Sequence, residues 1–542
     1  MERRSFLKTT LFASAGAYLT GPMPGTPPLS LDARAPGVPL HHFWSNCTGA
    51  GRANEGLRAS WLEHLRLVHD RCGFRYCRFH GLFHDDMFVY REVNGQPAYN
   101  WQYIDDLFDR LLDIGVRPFV ALNFMPAALA STSNTTFWWK AHTSPPKDYT
   151  LWGGLVGAFT AHCVDRYGLD EVRTWYFEVW NEPDLHGFWD GTRSQYFELY
   201  KVSVQAIKAV DPHLRVGGPA TSNFVPDGRF DGEREDPSKD LTLTTPDINA
   251  LSWHGVWIRD FLAYCGQEGL PVDFVSTHPY PTDWALDPET KKSAGRVRAA
   301  GATRQDLEWL KETIAQSPYP HASIHLTEWS SSPSSRDPTH DSLQAAAFIL
   351  RANLDCIGLA DSLSYWTFTD VFEEAGAGNS IFHGGFGLIN YQGIVKPSFH
   401  AYRMLHNLGD ELLHREEGLV LTRRGHRVVA LLYHYPQEVK DVVSGSVEGE
   451  LHMGTPRPFA MRIAGVPPGA AFDVETLDAD HGFAWPAWRA MGSPEPPNRE
   501  QTKQLKRAAF ATKVEQVRAD GSGYLNWSKT LTPWNCVLIK QK

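Results

Sequence analysis

The chain has 542 residues, of which 42% are hydrophobic and 21% charged, and its 62 acidic side chains outweigh 52 basic ones for a formal charge of −10. That apolar fraction supplies a large core, and no charge block or low-complexity tract signals disorder. An acidic balance without a basic stripe excludes a nucleic-acid surface, so the 19 Trp and 19 Tyr point to core packing and to stacking on sugar faces.

The chain opens MERRSFLKTTLFASAGAYLTGP. Arg3-Arg4, then Ser5-Phe6-Leu7-Lys8 and a short, weakly apolar stretch, fit a twin-arginine export signal. The Pro-rich run that follows reads as a linker, so residues 1–36 are assigned to signal and linker, with a periplasmic or secreted location expected. No other segment has the roughly 18 apolar residues of a membrane span. Seven scattered cysteines (Cys47, Cys72, Cys77, Cys163, Cys265, Cys356, Cys536) form no C-x-x-C pair and read as buried free thiols.

From there the chain alternates short β-branched or aromatic runs with amphipathic helical stretches. Strands are predicted at 42–49, 75–81, 117–124, 175–183, 214–221, 273–280, 323–329 and 363–368. Between them lie helical patterns such as WLEHLRLVHDRCG, YIDDLFDRLLDIG and SLQAAAFILRANLDCIG, with apolar positions recurring at three and four. Eight such units predict an α/β chain with a (β/α)8 TIM barrel over residues 37–411. The alternation then stops. Short strands separated by Gly, Pro and Asp predict an accessory β-sandwich over 412–542, with one inserted helix in SPEPPNREQTKQLKRAAF.

In such barrels the active site lies at the C-terminal ends of the strands. Strand four ends in Asn181-Glu182, strand six in His278-Pro279-Tyr280, and strand seven in Glu328-Trp329; His80 ends strand two and Trp366 follows strand eight. Two carboxylates facing each other across an aromatic cleft suit glycoside hydrolysis, in which one donates a proton and the other attacks. Apolar Trp180, Pro183 and Phe188 suit Glu182 to the acid role, while Thr327 and Ser330-Ser331-Ser332 are hydroxyls to stabilise an ionised Glu328. Asn181 is positioned to hold a sugar hydroxyl. Against these stand bland readings: a helix-capping Glu182, a solvated Glu328, structural His80 and His278. Glu178 is expected to be a core ion-pair member. No H-x-H or H-E-x-x-H spacing supports a metal site, so neither metal nor cofactor is expected.

Taken in order, RFHGLFHDDM, YFEVWNEPDL, VGGPATS, THPY, IHLTEWSSS, YWTFTDVFEE, HGGFGLIN and ETLDADHGFAWPAWRAMGSP resemble segments of glycoside hydrolase family 39, the family of β-xylosidases and α-L-iduronidases. The resemblance spans nearly the whole mature chain. It implies a retaining mechanism with Glu182 as acid/base and Glu328 as nucleophile. It also implies sugar contacts from His80, Asn181, His278, Tyr280, Trp366, Glu373 and Glu374. One departure is that SSSPSSRDP, after Glu328, lacks a Tyr that the xylosidases use to hold the nucleophile. The expected partner is an oligosaccharide or glycoside; Glu373-Glu374 would repel a uronate, which favours a neutral sugar, and the resemblance to β-xylosidases implies a pentose. β-Glucosidase, β-galactosidase, α-L-arabinopyranosidase or α-L-iduronidase specificity, a non-catalytic sugar-binding barrel and a metal-dependent sugar isomerase or hydrolase on the same barrel are the competing readings.

Overall fold

The structure is a computed structural model that describes residues 27–222, 224–286, 293–437 and 446–542. The proposed export signal, residues 1–22, lies outside the described residues.

Eight parallel strands close into a barrel: β1 Cys47–Arg52, β2 Tyr76–His80, β3 Arg117–Leu122, β4 Tyr176–Val179, β5 Arg215–Thr221, β6 Phe274–Thr277, β7 Ser323–Trp329 and β8 Ser362–Tyr365. A helix follows each: α1 Ala59–Cys72, α2 Gln102–Ile114, α3 Tyr149–Tyr167, α4 Arg193–Val210, α5 Ile258–Glu268, α6 Ala302–Ala315, α7 Leu343–Asp355 and α8 Pro397–His406. Local chemistry sets their ends. Thr192 accepts from the Gln195 N–H while the Gln195 side chain accepts from the Thr192 N–H, which starts α4. Gly115, at φ 95°, ends α2 in a conformation that costs a residue with Cβ. The first predicted strand began too early, since Phe43–Ser45 forms a turn of 3-10 helix before β1.

Alternation along the strands sorts side chains into layers. Phe79, Phe177 and Leu326 face the helices. Tyr76, Arg78 and His80 on β2, and Tyr176 and Glu178 on β4, face inward. At the strand starts, Cys47, Tyr76, Phe119, Tyr176 and Phe274 form an aromatic plug, with Phe119 stacked on Tyr176 at 4.8 Å. The plug closes the floor.

Beyond α8 lie β9 Glu411–Glu416, β10 Leu419–Arg424, β11 Arg427–Tyr433, β12 Arg457–Ala464, β13 Ala471–Leu477, β14 Lys513–Arg518, β15 Tyr524–Leu531 and β16 Cys536–Gln541. They form a seven-stranded sheet (Val38–Pro39, β9, β10, β11, β16, β13, β14) and a three-stranded sheet (Leu29–Asp32, β12, β15). Leu421, Leu432, Met461 and Ile463 fill the space between the sheets, while Val429, Leu431 and Leu538 point to the barrel. Residues 29–36 are therefore not only linker. Leu29–Asp32 pairs in parallel with β12, and Leu31 is buried in the sandwich core because its alternating LSLD pattern presents one apolar face. The inserted helix is α9, Arg499–Phe510, capped by Asn498. All seven cysteines are free and buried. Among the described residues, no helix is long and apolar enough to cross a membrane.

Candidate active site

Three irregularities aim the inward residues at one point. β4 ends at Val179, and Trp180 and Glu182 then take left-handed backbone at φ 74° and 47°. Each costs on the order of 1–3 kcal/mol for a side chain with Cβ. The Glu182 N–H donates to Ala220 O at 2.8 Å, which holds the turn. On β7 the register against β8 slips between Leu326 and Trp329. This bulge lets Thr327 and Glu328, neighbours in sequence, both face inward, whereas regular alternation would turn one away. On β1, Gly49 admits the Trp366 indole, since a Cβ there would lie 2.5 Å from the ring.

A cavity of about 390 Å³ opens above these strand ends, lined among others by His80, Asn181, Glu182, Tyr280, Glu328, Trp366 and Glu374. Its other flank is formed by Leu185, Phe188, Val225, Phe230, Arg229 and Glu235. His278 lies behind the lining, with Nδ1 3.0 Å from Glu182 Oε1 and Nε2 3.0 Å from Thr327 Oγ1. Glu373 does not line the cavity; it pairs with Arg52 and Arg58. Buried Asn181 Nδ2, His80 Nδ1 and Glu374 Oε1 have no hydrogen-bond partner within the protein, leaving polar atoms for ligand hydroxyls.

The centre of charge is Arg78, a residue that no local motif marks. It is fully buried, and its Nε and Nη2 hold Glu178 Oε2 at 2.8 and 2.7 Å. Its Nη1 donates to Glu328 Oε1 at 2.6 Å and its Nη2 to Asn181 Oδ1 at 2.7 Å. Glu178 is thus the core ion-pair member expected. The signal available in the sequence was Arg78 two residues before His80, on the same face of β2.

Glu328 is held by Arg78 and by Tyr280, whose hydroxyl donates to Oε2 at 3.0 Å. Glu328 thus accepts a tyrosine hydroxyl from the segment after β6, although no Tyr follows it in SSSPSSRDP. The hydroxyls expected to stabilise Glu328 bond elsewhere: Thr327 donates to Glu178 Oε1 at 2.6 Å, and Ser330 to Ser332 O. Burial pushes Glu328 up to about 7, against the pull of Arg78 and Tyr280. Glu182 is held well above the usual carboxylate range by burial, by Glu328 and by Asp184, with Arg78 opposing. Trp180 contributes only indirectly, because its indole packs outward against Trp152 and Trp189. Burial, Glu328 and Glu55 likewise raise Glu374. Glu373 sits below its ordinary range, because Arg58 and Arg52 outweigh its burial.

Among the described residues, Glu182, His278 and Glu328 bring potential metal-ligating atoms within 4.8 Å of one another. Arg78 already supplies the positive charge there, and burial with Glu328 and Asp184 favours the protonated form of Glu182, so the trio reads as acid–base machinery. It pairs an acid that holds its proton with a carboxylate that arginine and tyrosine help to ionise.

Comparison with known proteins bears on the family. The family model described as glycosyl hydrolases family 39 matches residues 28–227 and 236–526. The chain is 38% identical over 506 residues to a β-xylosidase of Geobacillus stearothermophilus, covering 92% of each. It is 37% identical to a β-xylosidase of Caldicellulosiruptor saccharolyticus, covering 87% of this chain and 89% of that one. Among solved structures, a monomeric β-xylosidase from Caulobacter crescentus CB15 superposes with a TM-score of 0.83 at 34% identity, covering 95% of this chain and 99% of that one.

Proposed function

The chain belongs to glycosyl hydrolases family 39 and is a glycosidase, and from that premise we propose that it cleaves a neutral, β-xyloside-like glycoside with retention of configuration. The observation that supports this mechanism is that one oxygen of Glu182 and one of Glu328 lie within 4.8 Å, which brings the two carboxyl groups close together. Retaining enzymes keep their carboxyl groups ~5–5.5 Å apart, whereas inverting enzymes need ~6.5–9.5 Å to admit a water. Glu182 gives its proton to the departing oxygen while Glu328 attacks the anomeric carbon, forming a glycosyl ester. Ionised Glu182 then takes a proton from water, whose oxygen releases the sugar.

The neutral-sugar reading rests on charge as well as on relatives named β-xylosidases. A uronate calls for a cation. Among the described lining residues the only Arg or Lys is Arg229, which is engaged by Asp227 and Asp240. This replaces the repulsion argument from Glu373-Glu374, since Arg52 and Arg58 neutralise Glu373 and burial favours the neutral form of Glu374.

A panel of nitrophenyl glycosides tests the sugar, with the β-xyloside expected to be cleaved fastest and the α-iduronide not at all. The first-formed anomer, followed by proton NMR, is expected to be β; an α product overturns retention. Glu328→Gly is expected to lose turnover and to give the inverted glycosyl azide with azide. The Arg3-Arg4 segment supports export to the periplasm or medium, and fractionation of wild type against Arg3→Lys/Arg4→Lys tests it.

A further inference from the structure

The hydrogen bonds behind Glu182 run in one direction only. Glu178 is ion-paired with Arg78 through Oε2, so its Oε1 accepts the single Thr327 hydroxyl proton at 2.6 Å. With that proton committed, Thr327 Oγ1 has only lone pairs to offer His278, and the bond at 3.0 Å requires a proton on Nε2. A neutral imidazole then has a bare Nδ1, which lies 3.0 Å from Glu182 Oε1.

We propose that Thr327 is a positioning residue for the acid: through it, Glu178 fixes His278 as the Nε2–H tautomer, so that Nδ1 accepts the Glu182 proton. The proposal rests on the reading of Glu182 as acid/base. The surroundings agree. His278 is fully buried and faces Arg78 and His80 on β2, Glu178 and Glu182 at β4, Thr327 and Glu328 on β7, and burial together with the Arg78 charge disfavours an imidazolium. Asp184, Glu374 and Glu328 act on Glu182 from the other sides, all favouring the protonated carboxyl. The opposite tautomer would point Nδ1–H at Glu182 and stabilise its anion. It would also force Thr327 to turn its proton from Glu178 to Nε2.

The arrangement serves both half-reactions. In the resting enzyme the proton is stored on an acid that has an acceptor but no donor beside it. When the glycosidic C–O bond breaks, that proton moves to the leaving oxygen, and Glu182 is left as a carboxylate facing a nitrogen lone pair. That anion is poorly stabilised. It takes a proton from the incoming water as the water oxygen bonds to the anomeric carbon, and the original bond to Nδ1 re-forms.

Neutron diffraction of the perdeuterated wild type tests the tautomer directly: deuterium is expected on His278 Nε2 and between Glu182 and Nδ1, and deuterium on Nδ1 with an ionised Glu182 overturns the proposal. In kinetics, Thr327→Val is expected to move the alkaline limb of kcat/KM down by about one pH unit. It should slow xylosides with alkyl or weakly acidic phenol leaving groups at least tenfold more than the dinitrophenyl xyloside, and Thr327→Ser should restore both. A Thr327→Val enzyme slowed equally at every pH and for every leaving group refutes the positioning role. Glu182→Gln separates the two readings: wild-type-like cleavage of poor leaving groups by that variant would remove the acid assignment itself, whatever the tautomer.

Discussion

Arg78 Nη1 lies 2.6 Å from Glu328 Oε1, with the guanidinium fully buried and its other nitrogens on Glu178 and Asn181. One cation therefore serves two buried carboxylates. Removing it leaves both unpaired, at a cost on the order of 3–5 kcal/mol. Arg78→Lys keeps the charge but not the fork. We expect a lowered Tm and an acidic limb of kcat/KM moved to higher pH. The sign follows from Glu328 having to be ionised: it stands at about 7 with Arg78 opposing burial, and a weaker opponent lets it rise. An unmoved limb in a folded Arg78→Lys enzyme would break this link.

Tyr280 supplies the other bond to Glu328. Hydrogen bonds to charged groups are worth ~1.5–3 kcal/mol, so Tyr280→Phe should lower kcat/KM by roughly ten- to a hundredfold. The acidic limb should again shift upward, while unfolding changes little because a phenyl ring fills the same space. Steady-state kinetics across pH check this, and a purely KM effect with no pH shift counts against it.

Asp184 is pushed up to about 6 by burial, against bonds from the Ser222 N–H and hydroxyl, and above that pH its charge helps keep Glu182 protonated. Asp184→Asn removes the charge with nearly the same shape. The Glu182 proton is then held less tightly, so the alkaline limb is expected at lower pH. A limb that stays or rises contradicts the electrostatics.

Glu374 and Glu373 are neighbours with different surroundings. Glu374 lines the cavity with its Oε1 3.5 Å from His80 Nε2 and no hydrogen bond within the protein, whereas Glu373 is anchored by Arg52 and Arg58. Glu374→Ala should cost roughly two- to tenfold in kcat/KM, as for one lost neutral hydrogen bond of ~0.5–1.5 kcal/mol. Glu373→Ala should act mainly on the stability of the Arg52–Arg58 corner, with a smaller kinetic change. Parallel kinetics and thermal melts of the two variants separate these outcomes.

Stability should fall as pH rises through neutral toward about 8. Glu55 is pushed up to about 8 by burial, and Glu182 and Glu374 also lie high, whereas unfolded glutamates titrate at ~4.3. Between those values the folded protein binds more protons than the unfolded chain, so stability falls as pH rises toward the folded pKa. Buried His80, His278, His325 and His400 act oppositely below ~6.5, where the unfolded chain binds more protons, and above that pH they contribute no slope. Thermal melts at fixed ionic strength check the decline, and Glu55→Gln should flatten it between pH 7 and 8. A Tm that rises between pH 7 and 8 refutes this.

The barrel was legible because its strands are bounded by Gly, Pro and amphipathic helices, a local signal. Glu182 and Glu328 stood out for a similar reason, each a carboxylate ending an apolar run. What escaped depends on closure. Arg78 meets Glu178 and Glu328 only once β2, β4 and β7 surround one axis, and nothing local in RYCRFHG names those partners. The inward turn of both Thr327 and Glu328 needs a bulge that period-two alternation does not predict. Leu29–Asp32 finds its partner only in β12, across nearly the whole chain, and its Pro-rich flanks disguised it.

The plug of Phe119, Tyr176 and Phe274 under Arg78 and Glu178 makes the barrel a blind well. Traffic is then last in, first out: the leaving alcohol occupies the route by which water must come and the sugar must go. Under the proposed retaining mechanism, any alcohol abundant outside would compete with water for the glycosyl ester. At high acceptor concentration the same chamber would then be a synthetic device, joining the sugar to whatever hydroxyl waits at the rim.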